Sequence, residues 1–346
     1  MIYFDVTKTG SAVHRSGLTR VSSRLAEELG GAAVPVSWDE GFREFKAWNK
    51  IQFTPSDWLL TAELFSEEER PGIGTFLAAS PCRLAAIFHD NIPLRLPHVT
   101  WPQSLARHPG YVKLLGGFDR IWAVSAASRD DLLGFWQWQG LVKAPPVEVL
   151  ALGADFNRQA RATTAAPVGS PPALVCVGIL EPRKNQTFLL ETCAGLWEEG
   201  MDFALHVVGR VNPHFGKKIV KRLHELQKRH AALQFHEAAD DELLRRIYAQ
   251  ARASVFPTIA EGCGLPLLES LWLGVPCVCS DLPVLRENAA AGGCLAAAPN
   301  DRAAWRAALR SILTDDAVHA RLVQESLARP LPTWAQAAET IRRELR

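Results

Sequence analysis

The sequence lacks several features that mark whole classes of protein. It has no run of about 18 apolar residues, so it predicts no membrane-spanning helix. Its opening segment, MIYFDVTKTG, has neither the basic start nor the long apolar centre of a signal peptide. The seven cysteines form no CxxC pair, which argues against a disulfide framework. We therefore expect a cytoplasmic protein with reduced thiols.

The net charge is close to zero, since the chain has 38 basic and 37 acidic residues. This balance predicts no nucleic-acid partner. The basic stretch KKIVKRLHELQKRH at 217–230 is a local exception, and a solvated helix face is the favoured interpretation. Hydrophobic residues make up 48% of the 346 residues, which is enough for two domains with separate cores.

Strand-like and helix-like segments alternate along the chain. The small, Pro-rich segment TTAAPVGSPP at 163–172 interrupts this alternation, which then restarts. The pattern predicts an α/β protein with two Rossmann-like, doubly wound domains, at 1–165 and 166–330, whose strand ends face a shared cleft. In the first domain the predicted strands are 2–6, 32–36, 57–61, 84–88 and 121–124, and the predicted helices run from Ser16 to Leu29 and from Ser128 to Gln137.

The most informative segment is EGCGLPLLE, from Glu261 to Glu269. It follows a predicted strand and opens a predicted helix. The glycines at 262 and 264 let backbone approach a ligand closely, and the amides of a helix start attract an anion. Two glutamates in this frame fit sugar hydroxyls on either side of a bound phosphate. A capped surface helix with two solvated glutamates is the alternative that the glycine and proline pattern disfavours.

A second segment, VGILEPRKN from Val177 to Asn185, follows the first predicted strand of the second domain. Arg183 and Lys184 are expected at the carboxyl end of that strand. A guanidinium and an ammonium at this place can neutralise a diphosphate as it leaves. An ordinary charged loop is the more common fate of such a pair, but its position favours the functional interpretation.

Together these segments resemble the donor-binding signature of the retaining GT-B glycosyltransferases of family four, in their mannosyltransferase-like bacterial branch. Weaker similarities extend over most of the chain. They are FDVT with SGLTRV near the N-terminus, IFHDNIPLRLP, AVSAASRDDLL, VLALGADF, GVPCVCSDLPVLREN, and LPTWAQAAETI near the C-terminus. The last of these resembles a terminal helix, at 331–346, that crosses back to the first domain.

The resemblance implies a retaining, metal-independent transfer of a sugar from a nucleotide diphosphate sugar. It implies catalytic roles for Glu261 at the donor sugar, Arg183 and Lys184 at the diphosphate, and His89 on the acceptor side. The donor-binding residues that it implies are Gly17, Cys263, Gly264, Leu265 and Glu269, the last of these at the ribose. Two residues depart from the family pattern: Ile179 stands where many members have a basic residue, and Cys263 where an aromatic one is more common.

The resemblance favours GDP-mannose as donor, followed by dTDP- and UDP-sugars, with no further cofactor. It implies a surface polysaccharide or a lipid-linked glycan as acceptor, and it is compatible with peripheral attachment at the inner face of the plasma membrane or to a glycosyltransferase complex. A sugar-nucleotide epimerase of the same fold and a non-catalytic nucleotide-sugar-binding module are the alternatives. The presence of both Glu261 and Glu269 argues against the second.

Two further features leave alternatives open. His89 with Asp90 fits a structural pair as well as an acceptor-side role. Phe135, Trp136 and Trp138 fit core packing, or else a platform for a membrane or an acceptor glycan.

Overall fold

The computed structural model describes residues 1–11, 17–48, 51–79, 81–165 and 169–346. The chain divides into two compact units. Unit 1 comprises Met1–Gly153 and Pro332–Arg346, and unit 2 comprises Ala154–Leu331. The division falls ahead of the 165/166 boundary that the Pro-rich segment predicts. Residues 166–168 of that segment lie outside the described residues.

Unit 1 is built on a seven-stranded sheet with the order β3-β2-β1-β4-β5-β6-β7. All neighbours pair in parallel except β2 and β3, which are antiparallel. The sequence pattern missed β3, which is short and polar, and the edge strand β7. The strands are β1 Ile2–Asp5, β2 Ala33–Asp39, β3 Glu44–Lys46, β4 Trp58–Thr61, β5 Arg83–Phe88, β6 Arg120–Ala123 and β7 Val147–Val149.

Helices pack on this sheet, and the first of them carries a clear apolar stripe. In the first helix, Val21, Leu25 and Leu29 are buried at helical spacing. Ser16, predicted to cap this helix, lies outside the described residues. The helices are α1 Gly17–Leu29, α2 Ile73–Ala79, α3 Ile92–Arg95, α4 Pro102–Leu115 and α5 Ala126–Trp138.

Unit 2 has a six-stranded parallel sheet with the order β10-β9-β8-β11-β12-β13. This is the order of a doubly wound sheet, in which the order of strand addition reverses between β8 and β11. The strands are β8 Ala173–Val177, β9 Ala204–Val208, β10 Leu233–His236, β11 Ala251–Phe256, β12 Cys277–Ser280 and β13 Cys294–Ala297.

Seven helices complete unit 2, and one more returns to unit 1. They are α6 Gln186–Glu198, α7 Gly216–Gln227, α8 Asp241–Gln250, α9 Leu265–Trp272, α10 Pro283–Ala289, α11 Arg302–Thr314, α12 Asp316–Ala328 and, in unit 1, α13 Trp334–Glu344. The last helix packs beside α1 and begins with a capping box of Thr333 and Gln336. No helix in the described ranges is both long and apolar enough to cross a bilayer.

A buried ion network lies where β1 and β4 end in unit 1. Arg70 donates to Asp5 Oδ2 and to Glu63 Oε2, both at 2.6 Å, and all three residues are almost fully buried. Glu63 also accepts the backbone amides of Lys8 and Thr9 at 2.8 and 2.7 Å. Burial raises the pKa of Glu63, and the Asp5 charge adds to this effect. The network therefore fixes the loop that follows β1.

We expect Arg70→Met to lower the free energy of unfolding by about 3–5 kcal/mol, because it leaves two buried carboxylates without their cation. Arg95→Met is the matched control. Arg95 pairs with Asp131 on the surface, and loss of such a pair costs about 1 kcal/mol or less. Urea titration of both variants measures the difference. Equal, small losses would show that the network contributes little.

Candidate functional site

Three of the predicted site residues meet beside β8 and β11, where the strand order of unit 2 reverses. Arg183 and Lys184 lie in a single 3₁₀ turn, Pro182–Lys184, shortly after β8. Glu261 follows the neighbouring strand, β11. Both segments leave the carboxyl edge of the sheet, which is where open α/β sheets bind ligands.

The side chains converge on a single oxygen, Oε1 of Glu261. Lys184 Nζ donates to it at 2.6 Å, Thr258 Oγ1 at 2.7 Å, and an Arg183 nitrogen at 3.1 Å. Lys184 Nζ also lies 4.9 Å from the ring centre of Phe256. Glu261 thus neutralises both cations in the structure.

A second carboxylate shares Arg183. The other terminal nitrogen of Arg183 donates to Glu181 Oε1 at 2.7 Å, and Asn212 donates to Glu181 Oε2 at 3.1 Å. The backbone joins the two loops as well, because Ile259 N donates to Arg183 O at 2.9 Å. The basic pair is therefore held in place rather than solvated, and the ordinary charged loop considered above does not describe it.

Burial and opposite charge act against each other at this cluster. Burial alone would raise the pKa of Glu261, but the Lys184 and Arg183 charges and the hydrogen bonds outweigh it, and the pKa is lowered. Burial lowers the pKa of Lys184, and the Arg183 charge adds to this, while Glu261 opposes it. Glu261 is thus ionised at neutral pH, and its charge opposes the lowering of the Lys184 pKa.

The start of α9 adjoins Glu261 and requires glycine at its cap. Gly264 has φ +82°, in the left-handed region. A Cβ there would lie 2.7 Å from Leu285 Cδ2. Asn288 Nδ2 donates to Cys263 O at 2.5 Å, which fixes the preceding turn. The predicted backbone contacts at Cys263, Gly264 and Leu265 thus lie in a rigid segment whose helix amides can attract an anion.

Two predicted site residues, His89 and Gly17, belong to unit 1. His89 follows β5 and is buried, and its Nε2 donates to Ala62 O at 2.8 Å. Burial lowers the pKa of His89, so the ring is neutral with its lone pair on Nδ1. Gly17 is the first residue of α1, and a Cβ there would meet no described atom within 4 Å.

Glu269 lies in α9 and is buried, with 3% of its surface exposed. The ribose contact implied for this side chain stays a prediction, as do the roles of the other site residues. Within the described residues, His, Cys, Asp and Glu side chains form no group of three that could hold a metal ion.

Sequence reasoning missed Thr258, Glu181 and the glycine pair that shapes the loops. Gly178 and Gly209 follow the adjacent strands β8 and β9, and a Cβ at Gly209 would lie 2.0 Å from Gly178 O. A glycine directly after each of two neighbouring predicted strands was the available signal for this close approach. For Thr258 the sequence carries no comparable signal.

The chain is similar to known glycosyltransferases. Residues 171–315 match the family profile "Glycosyl transferases group 1". Serotype-specific mannosyltransferase WbdA of Escherichia coli is 29% identical, with 82% of this chain and 38% of that protein covered. O-antigen chain mannosyltransferase B of Escherichia coli is 36% identical over 40% of this chain and 36% of its own length. The chain thus spans less than two fifths of these relatives.

Solved glycosyltransferase structures share the fold. WaaG, a glycosyltransferase involved in lipopolysaccharide biosynthesis, has a TM-score of 0.64 and 15% identity, with 99% of both chains covered. Sucrose-phosphate synthase from Thermosynechococcus elongatus has a TM-score of 0.74 and 16% identity, with 99% of this chain and 97% of that chain covered.

The fold is that of the GT-B glycosyltransferases, as the sequence predicted. Residues 171–315 match the glycosyl transferases group 1 profile, and the predicted resemblance to bacterial mannosyltransferases is confirmed. The cluster of Arg183, Lys184 and Glu261 lies inside this matched stretch.

We expect Gly264→Ala to lower the free energy of unfolding by about 2–4 kcal/mol, since it combines left-handed strain with the Leu285 clash. Gly200→Ala is the control. Gly200 has φ +86° but open space around it, so its variant should lose only the strain, about 1–2 kcal/mol. Denaturant unfolding compares the two. Equal losses would show that Leu285 moves aside without cost.

Proposed function

We propose that the protein is a retaining glycosyltransferase that moves mannose from GDP-mannose to a hydroxyl of a growing surface polysaccharide or lipid-linked glycan, without a metal ion. One observation carries the proposal. Arg183 and Lys184 are held together on Glu261 at the switch point of the stretch that matches the group 1 profile, beside the start of α9. The names of the mannosyltransferases to which the chain is similar support the sugar, and two of them also name the O-antigen chain.

In this proposal the two cations bind the diphosphate and Glu261 binds the sugar. A diphosphate at this place competes with Glu261 for Lys184 and Arg183, and the amides at the start of α9 add to its attraction. Glu261, once released from the cations, is the acceptor for hydroxyls of the donor sugar. As the bond to the sugar breaks, negative charge grows on the diphosphate, where the two cations stabilise it. The acceptor hydroxyl attacks from the same face, and its proton passes to the departing phosphate.

His89 serves the acceptor side in this scheme. Its Nε2 is committed to Ala62 O, so Nδ1 is the atom that accepts a hydrogen bond. An epimerase and a non-catalytic binding module are not favoured, because the relatives named above are transferases. Placement at the inner face of the plasma membrane, alone or with other glycosyltransferases, belongs to the same proposal.

Thermal unfolding with GDP, UDP, dTDP and ADP tests the donor. A nucleotide that binds the native state raises its stability by mass action. We expect GDP to raise the midpoint most, and Lys184→Met to reduce that rise. A larger rise in the midpoint with UDP or dTDP would show that the donor is a UDP- or dTDP-sugar and not GDP-mannose. The reaction itself is tested by incubating the protein with GDP-mannose and a glycan acceptor and monitoring the product by NMR. We expect mannose transfer with the anomeric configuration retained.

Activity should survive an excess of EDTA. Arg183 and Lys184 supply the positive charge at the diphosphate that a metal ion supplies in other enzymes. Turnover is measured in donor and acceptor with and without the chelator. Loss of activity that Mg²⁺ or Mn²⁺ restores would contradict a metal-independent reaction.

Lys184→Met should lower kcat by about 10²–10³, because a cation at the leaving diphosphate acts more strongly in the transition state than on bound donor. Lys217→Met is the control, as this lysine is exposed on α7 of the same unit. Steady-state kinetics at saturating donor measures both. Circular dichroism verifies that the variants fold. Near-normal kcat in Lys184→Met would remove Lys184 from the reaction.

A further inference from the structure

The aromatic segment at the end of α5 is only partly explained by the core. Trp136 is buried, and its indole nitrogen donates to Val112 O of α4 at 3.0 Å. Trp138, two residues later, is 79% exposed, and its ring contacts only Phe135, at 5.7 Å between ring centres, among the aromatic contacts of the described residues. Trp136 therefore fastens α5 to α4, whereas packing does not account for Trp138.

Other exposed apolar side chains lie near Trp138 in the sequence. Leu141 and Val142 follow the helix, with Val142 100% exposed. Leu141 is held at the helix end, because its amide donates to Trp136 O at 2.9 Å. It packs over Gly116, at the end of α4, where a Cβ would lie 3.2 Å from Leu141 Cδ2. Trp138, Leu141 and Val142 are thus exposed apolar residues at the joined ends of α4 and α5.

Lysines flank these apolar residues, and the nearest acidic residues of α5, Asp130 and Asp131, each pair with an arginine. No Asp or Glu occurs at 102–118 or at 132–147, although the chain has 37 acidic residues. Lys113 on α4 and Lys143 after Val142 are both exposed. Neither forms an ion pair with a described residue. Asp119, just beyond the first stretch, accepts the backbone amide of Leu84.

We propose that five residues, Trp138, Leu141, Val142, Lys113 and Lys143, are a membrane-docking patch that seats unit 1 on an anionic phospholipid surface. An exposed Trp with neighbouring aliphatic side chains suits the boundary between headgroups and acyl chains. Lysines at its edge reach anionic headgroups while their methylene stems stay on the apolar surface. Such a patch is larger than the single exposed side chains of an ordinary surface. The inference rests on the proposed function in one respect, since a lipid-linked acceptor gives the docking its purpose.

Sedimentation of the full chain with vesicles tests the patch. One set contains phosphatidylcholine alone, and the other contains phosphatidylcholine with phosphatidylglycerol. We expect binding to the anionic set, weaker binding to the neutral set, and a decrease as salt rises. Trp138→Ala combined with Val142→Ser should weaken binding to anionic vesicles about tenfold. Lys113→Gln and Lys143→Gln should each weaken it about fivefold, with little effect on neutral vesicles.

Trp48→Ala is the matched control, because Trp48 is 95% exposed in the same unit but lies outside the patch. It should bind vesicles like the unchanged protein. The proposal is overturned if the unchanged protein ignores anionic vesicles, or if Trp48→Ala weakens binding as much as the patch variant. It is also overturned if the patch variant keeps vesicle binding but dissociates an oligomer in size-exclusion chromatography, which would make the surface a protein contact.

The test separates this proposal from the proposed function. The patch variant should keep the nucleotide-induced rise in thermal stability, since none of its residues belongs to the donor site. If no nucleotide stabilises even the unchanged protein while vesicle binding follows the patch, the donor site is wrong and the docking patch stands. If nucleotides stabilise both proteins and neither binds vesicles, the patch is wrong and the donor site stands.

Discussion

The convergence of three donors on Glu261 Oε1 is the interaction on which the second unit's site depends. Lys184 and Arg183 come from the loop after β8, and Thr258 and Glu261 from the loop after β11. Burying these charges is costly, and only mutual neutralisation with additional hydrogen bonds offsets that cost. The two loops must therefore keep a fixed spacing at the edge of the sheet. That spacing presents two cations, the carboxylate of Glu261 beside that of Glu181, and the start of α9 to the same place.

Unit 1 uses the same physical solution with one cation fewer. At the end of β1 and β4, one cation, Arg70, lies between the carboxylates of Asp5 and Glu63. Backbone amides of Lys8 and Thr9 complete that cluster. An excess of carboxylate repels a diphosphate, whereas the cluster of unit 2 has a lysine whose only ion pair among the described residues is Glu261. The same sheet order thus gives a structural cluster in one unit and a candidate anion site in the other.

Much of the fold can be predicted from the sequence, because buried parallel strands appear as short apolar runs and amphipathic helices as apolar residues at helical spacing. The short antiparallel strand Glu44–Lys46 shows neither pattern and was missed. For the site, the segments predicted where Arg183, Lys184 and Glu261 lie, since each follows a strand of one sheet. Their direct bonding was not predicted, because Lys184 and Glu261 are 77 positions apart. Asp5 and Arg70 are 65 apart, and no spacing rule joins them.

Burial places a condition on how the proposed reaction begins. Burial lowers the pKa of Lys184, and the Glu261 charge opposes that lowering. If Glu261 turned to a sugar hydroxyl first, the buried ammonium would lose the anion that stabilises it. If a diphosphate arrived while Glu261 stayed, the added negative charge would be repelled at close range. The two movements must therefore occur together, so that phosphate replaces carboxylate at Lys184 as the carboxylate becomes available to the sugar. In the proposed scheme, donor binding itself places Glu261 in its catalytic role, and a sugar lacking the diphosphate would leave Glu261 paired with the cations.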